Sequence, residues 1–209
     1  MKTRRSVLYF LSAVWMFLMA SGASAAGPYG ISVSGGTDPF IAGAAGSGAG
    51  APDYSDAFGP GWLLRVEPYY DATPVLRLQI GFLYEQRSGK TFENFEFDEL
   101  KRGAIYIGGK ARLMPNSSLR PYLVVDLGFG KINRADVTLL GVSAKYWKET
   151  NTVYLDFGGG LEYAVSPNLG FFVDLRVETF GKPDSNLPPA SDADASWSLP
   201  VTAGLNYSF

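Results

Sequence analysis

There is no cysteine and no histidine among the 209 residues of this sequence, and there are only 4 methionines. The lack of cysteine rules out disulfides, a thiol nucleophile and an N-terminal lipid on a lipobox, so stability has to come from packing and chain closure. With no histidine, a serine hydroxyl has no imidazole to take its proton, and zinc, copper and iron sites lose their usual ligands. Only oxygen sites for calcium or magnesium remain. Long apolar runs are scarce too: beyond the amino-terminal segment, nothing approaches the ~20 consecutive apolar residues of a membrane-spanning helix. Charged residues make up 18% of the chain with a formal net charge of −2, which provides no basic surface for nucleic acid.

The amino end carries its own pattern. Lys2, Arg4 and Arg5 form a positive region, Val7 through Ala20 is apolar, and Ala23-Ser24-Ala25 precedes Ala26 as a small-residue cleavage site. Residues 1–25 are therefore expected to be a cleaved secretory signal peptide, and residues 26–209 a single domain. That domain is rich in what strands use: 14% of the chain is aromatic and 25 residues are glycine.

Apolar residues recur with period two, the signature of strands. Leu119, Pro121, Leu123, Val125, Leu127 and Phe129 share one face, and Arg120, Tyr122, Val124, Asp126, Gly128 and Gly130 the other. The same alternation runs through 153–165, 169–180 and 197–209, and earlier through 62–70, 76–85 and 102–113, with a short first strand at 29–34. That makes about eight strands. Tight turns fall at Asp71-Ala72-Thr73-Pro74, Pro115-Asn116-Ser117-Ser118 and Ser166-Pro167-Asn168, alternating with long links near 36–60, 88–98, 132–148 and 182–195. The fold class this gives is all-β, an eight-stranded antiparallel up-and-down transmembrane barrel with short turns at one end and long loops at the other.

A secreted β-sandwich or lipocalin-like protein would also alternate, with its charges facing water. In a membrane the charges must face inward, because each cation on the lipid face costs ~2–4 kcal/mol near the midplane. The inward set is Arg65, Glu67, Arg77, Glu85, Arg87, Arg102, Lys110, Arg112, Arg120, Asp126, Asp156, Glu162, Asp174, Arg176 and Glu178, with nearly balanced signs. An eight-stranded barrel is just wide enough inside for side chains to fill it, so these residues are expected to form a paired polar plug. Gly81, Gly108, Gly128, Gly130, Gly158 and Gly160 leave room for the long arginine and tyrosine side chains. Tyr70, Tyr163, Tyr207 and Phe209 toward the turns, and Trp62, Tyr84, Phe129 and Trp197 toward the loops, form two aromatic girdles.

The signal peptide, the strand count, the segments Arg120-Pro121-Tyr122-Leu123 and Leu161 to Asn168, and a terminus carrying Gly204, Tyr207 and Phe209 together resemble the small OmpA-, OmpX- and OmpW-type outer-membrane barrels. The resemblance covers residues 26–209. It implies a Gram-negative outer membrane with both termini periplasmic, lipid and lipopolysaccharide as surroundings, and recognition of the terminal Gly204, Tyr207 and Phe209 by the barrel-assembly machinery. Unlike OmpA, the sequence stops at the barrel, so no cell-wall tether is expected. The enzymes of this outer-membrane group resemble one another in relying on a histidine, which this sequence lacks.

Function is accordingly expected to be non-enzymatic, a structural or surface-interaction barrel with a largely plugged lumen and an unidentified ligand at its long loops. The alternative is a narrow passive channel for small or hydrophobic solutes, a reading that the inward apolar residues Leu63, Leu83, Val124 and Phe180 favour. No cofactor or metal is expected. Asp126 and Asp156 could form an acid pair, but pairing with Arg120, Lys110 or Arg176 is the plainer reading. Asp184, Asp192 and Asp194 read as a solvated acidic loop, or as ligands for divalent ions bridging lipopolysaccharide. Gly158-Gly159-Gly160 precedes a strand and so is no phosphate cradle. Ile41 to Ala51 reads as a mobile external loop, and Thr91 to Leu100, alternating phenylalanine with acid, as strand extension above the membrane with a possible adhesive edge.

Overall fold

The computed structural model describes residues 27–48, 50–187 and 190–209. The signal-peptide assignment lies outside these residues. The strands in chain order are β1 (Tyr29–Asp38), β2 (Phe40–Ala42), β3 (Gly61–Asp71), β4 (Leu76–Arg87), β5 (Thr91–Phe92), β6 (Phe95–Phe97), β7 (Leu100–Arg112), β8 (Leu119–Ile132), β9 (Ala135–Leu139), β10 (Val142–Trp147), β11 (Thr150–Ala164), β12 (Leu169–Phe180), β13 (Ser196–Ser198) and β14 (Val201–Ser208). One helical turn, Tyr54–Ala57, sits between β2 and β3.

Eight of these strands close a barrel. Each of β1, β3, β4, β7, β8, β11 and β12 pairs antiparallel with its successor in the series, and β14 follows β12. The seam is β1 against β14, from Gly30 opposite Ser208 to Thr37 opposite Val201. Closure satisfies every strand edge, which a sheet crossing lipid requires. The period-two reading holds across the wall: Ile80, Ile105, Ile107, Leu123, Val125, Leu127, Val153, Phe157 and Leu175 are exposed outward, while the alternate residues are buried. The aromatic residues stand as expected, with Tyr70, Tyr163 and Phe209 exposed toward the turns and Trp62, Tyr84 and Phe129 toward the loops.

Two sequence expectations are corrected. The first strand is longer than 29–34, running to Asp38, because Gly35, Gly36 and Thr37 extend the ladder to β3 even though glycine weakens a strand. The last strand is interrupted at Leu199-Pro200. Proline brings no N–H, so the ladder breaks into β13 and β14, yet both keep the same register on β12 and Pro200 accepts a hydrogen bond from Arg176 N at 3.1 Å. The strand extension expected over Thr91 to Leu100 is present: the segment contains the β5–β6 hairpin, which joins β9 and β10 in a separate four-stranded sheet beyond the barrel mouth. In the segment expected to be a mobile external loop, residues 41–48 fold back over the mouth. There Ala42 pairs with Trp197, Ala45 N donates to Pro52 O at 2.9 Å, and Ala45 is buried.

Candidate functional site

The site is the lumen and the structure that covers its outer end. Because inward positions alternate with lipid-facing ones on all eight strands, polar side chains from opposite walls converge on the axis, and their ion pairs fall into three levels.

At the outer level, Arg102 on β7 reaches Glu85 on β4 (Nε 2.8 Å, Nη2 2.6 Å), Ser196 Oγ at 2.6 Å, and both Asp38 and Glu178 at 3.5 Å. Arg87 pairs with Asp38 and Glu85 and lies over the Phe40 ring, 3.6 Å from its centroid. Asp38, Glu85 and Glu178 come close enough together to share an ion. Their charge is already met by Arg87, Arg102 and Arg65, so the donor set suits guanidinium rather than metal.

The middle level is built on Arg176 of β12. Its guanidinium reaches Asp126 at 2.8 Å, Asp174 at 2.9 Å, and Asp156 and Glu67 at 3.3 Å. Arg65 bridges Glu178 at 2.8 Å and Asp156 at 3.4 Å, and Tyr154 donates to Asp156 at 2.6 Å. Tyr106 donates to Glu67 at 2.9 Å, and Gln79 to Asp126 at 2.9 Å. Of the cations considered for the Asp126–Asp156 pair, Arg176 takes both carboxylates. Lys110 and Arg120 lie elsewhere. Lys110 Nζ makes no hydrogen bond among the described residues and sits over the rings of Tyr122 (4.1 Å) and Phe172 (4.8 Å).

At the turn end, Arg77 pairs with Asp71 at 2.8 Å and stacks 3.3 Å from the Tyr69 ring centroid. Arg112 reaches Asp71 at 3.2 Å, and Arg112 and Arg120 reach Glu162 at 3.6 and 3.5 Å. Arg120 is the one member of the inward set that is substantially solvated, with 29% of its side chain exposed, because it stands at the rim of an open vestibule of about 530 Å³.

A lid covers the outer mouth. Trp147 is fully buried against Tyr54 (ring centroids 5.5 Å), Phe58 (5.7 Å) and Tyr146 (5.4 Å), and Phe97 packs edge-on to Phe58 and Tyr146. The polar ends are satisfied by loop carbonyls: Trp147 Nε1 donates to Ser191 O at 2.9 Å, Tyr146 to Ala190 O at 2.9 Å and Tyr54 to Asp194 O at 3.0 Å. Burial pushes the Tyr54 hydroxyl well above the ordinary tyrosine range. This apolar lid continues downward into Leu63, Leu83, Tyr106, Tyr154 and Phe180 of the lumen, so three inward apolar residues, Leu63, Leu83 and Phe180, belong to one cluster with the lid, whereas Val124 packs apart from it with Tyr122 and Phe172. Asp184, Asp192 and Asp194 share an external recess with Lys182.

Sequence reading missed Asp38 and Asp71, which lay in segments assigned to a loop and a turn. It missed the lid altogether. Terminal Gly204 faces inward beneath Ser34 and Phe172, and Tyr207 and Phe209 pack together outward (ring centroids 5.7 Å).

A closed eight-stranded meander with an apolar outer belt, aromatic girdles and a polar interior is the fold of the small outer-membrane β-barrels. No protein-family model matches the sequence, and no curated protein matches it. Solved structures do. Neisserial surface protein A (NspA) superposes with a TM-score of 0.56 at 19% identity, covering 89% of this chain and 100% of that one. The Pseudomonas aeruginosa outer membrane protein OprG gives a TM-score of 0.55 at 15% identity, covering 90% and 98%, and outer membrane protein AlkL gives 0.54 at 14%, covering 90% and 94%. At these identities the likeness is one of fold.

Proposed function

We propose that this chain is a non-enzymatic outer-membrane barrel that conducts no solute and acts through the surface above its lid. The observation that carries the reading is the series of three levels of buried ion pairs from Asp38 to Glu162, capped by the Trp147 cluster. Every level of the lumen contains a guanidinium held by at least two carboxylates, so a passing ion would have to break charge-assisted bonds at each step. The residues of this network serve as a structural plug. The external sheet of β5, β6, β9 and β10 is the surface offered to partners outside the cell, and lipopolysaccharide surrounds its base.

In this reading the short turns and both termini are periplasmic, and Gly204, Tyr207 and Phe209 form the signal read by the barrel-assembly machinery. The absence of histidine and cysteine from the sequence supports a non-enzymatic role. The rival, a narrow passive channel, draws on the vestibule of about 530 Å³ at the turn end, which is open to solvent but stops at Arg77 and Glu162. Liposome swelling separates the two: proteoliposomes are expected to stay as tight to arabinose as protein-free vesicles, and swelling that rises with protein content would favour the channel.

A further inference from the structure

Among the described residues the wall is interrupted at a proline on β3 as well as at Pro200 of the last strand. Between β3 and β4 the ladder runs from Trp62–Gln86 to Val66–Phe82 and resumes at Tyr69–Gln79 in the same register, leaving Glu67 and Pro68 unpaired with Gly81 and Ile80. Since the register does not shift, this is no bulge. On its other side Pro68 stays paired with Ile31 of β1, so the N–H that proline lacks is the one β4 would have received.

On the outer surface over this gap lies a cleft of about 680 Å³ lined by Pro68, Tyr70, Leu78, Ile80, Ile107 and Leu127, within the ~300–1,000 Å³ range of small-molecule sites. Tyr69 and Gln79, which point into the lumen, also reach its floor, and Gly108 adds no side chain, so the wall is thin there. No charged side chain lines the cleft. Its walls belong to the lipid-facing belt, and the tilted Tyr29–Tyr70 ring pair (centroids 5.1 Å apart) marks its turn-end rim. What meets this surface in a membrane is hydrocarbon.

We infer that the Pro68 cleft is a retained-lipid site that holds one acyl chain of a phospholipid in the turn-end leaflet, with the headgroup at the level of Tyr29 and Tyr70. The site is independent of whether the lumen conducts.

The test uses the mature barrel in phospholipid vesicles doped with a phosphatidylcholine bearing a diazirine in mid-chain, photolysed and mapped by peptide mass spectrometry. Labelling at Ile80 and Ile107 is expected to exceed that at Val173 and Leu205, at a similar distance from the turn end of other strands, by about fivefold. Pro68→Val, which restores the missing N–H, and Ile80→Trp, which fills the cleft, should each reduce it to the level of the other strands, with heat-modifiable gel mobility reporting that the barrel is folded. Even labelling around the wall, or enrichment that survives both substitutions, would overturn the site. So would labelling by a free diazirine alkane without labelling by the phospholipid.

Discussion

Asp126 on β8 and Asp156 on β11 face each other directly across the ladder, with Arg176 Nη1 2.8 Å from the first and 3.3 Å from the second. Like charges opposite one another destabilise a sheet, so this register depends on the arginine that β12 projects between them. Arg176→Leu takes a shared guanidinium from four carboxylates at once, while Asp156 keeps Arg65 at 3.4 Å. Breaking a buried pair in this way costs about 3–5 kcal/mol, and urea unfolding of the vesicle-embedded barrel should register a loss of that order. Adding Asp126→Asn should recover part of it, which an unrelated packing defect would not do.

Close packing at Gly81 gives a second expectation. A Cβ there would run into the Tyr106 ring, whose hydroxyl donates to Glu67 at 2.9 Å. Gly81→Val should push the ring aside and leave Glu67 short of a donor, at about 1–3 kcal/mol. Near-ultraviolet circular dichroism should lose intensity at tyrosine wavelengths while the strand signal in the far ultraviolet is retained.

The lid should be separable from the barrel. Trp147 fills the centre of the aromatic cluster and holds Ser191 O through its indole N–H. Trp147→Ala removes a side chain worth about 3–5 kcal/mol in a packed core. Brief proteolysis should then cut within 182–195 or the β9–β10 hairpin, while the transmembrane fragments keep their heat-modifiable mobility. An unchanged cleavage pattern would mean that the lid does not depend on this cluster.

The proposed role of the terminal residues in assembly can be separated from their place in the finished barrel. Ser208 N bonds to Asn168 O and Phe209 N to Tyr29 O, each at 2.9 Å, so backbone bonds tie the end of the chain to its neighbours. Phe209→Ala should lower the folded fraction reaching the outer membrane in cells several-fold, yet leave refolding in detergent nearly unchanged. Equal losses in both settings would make Phe209 a packing residue instead.

The wall and the inward charges were legible in the sequence because a strand has a period of two and lipid penalises an outward charge heavily. Arg65, Glu67, Arg77, Asp126, Asp156, Asp174 and Arg176 are all inward and buried. Which cation met which acid was not legible, since cross-barrel partners such as Arg65 and Glu178 come from strands far apart in the chain and depend on the barrel's stagger. Asp38 was hidden by the glycines before it, and Pro68 read only as one outward position among others, although its missing N–H opens the seam. The lid was the least visible part. Tyr54 with Phe58, Phe97, and Trp147 lie in three separate links with no common period, and only their convergence over the mouth makes them a core.

The central claim is that side chains and lid close the lumen. Single-channel recording of the mature protein in planar bilayers tests it most directly: the expected trace is a flat baseline, broken at most by rare brief openings, at both polarities. Steady, ohmic steps of uniform size from the unmodified protein would contradict it.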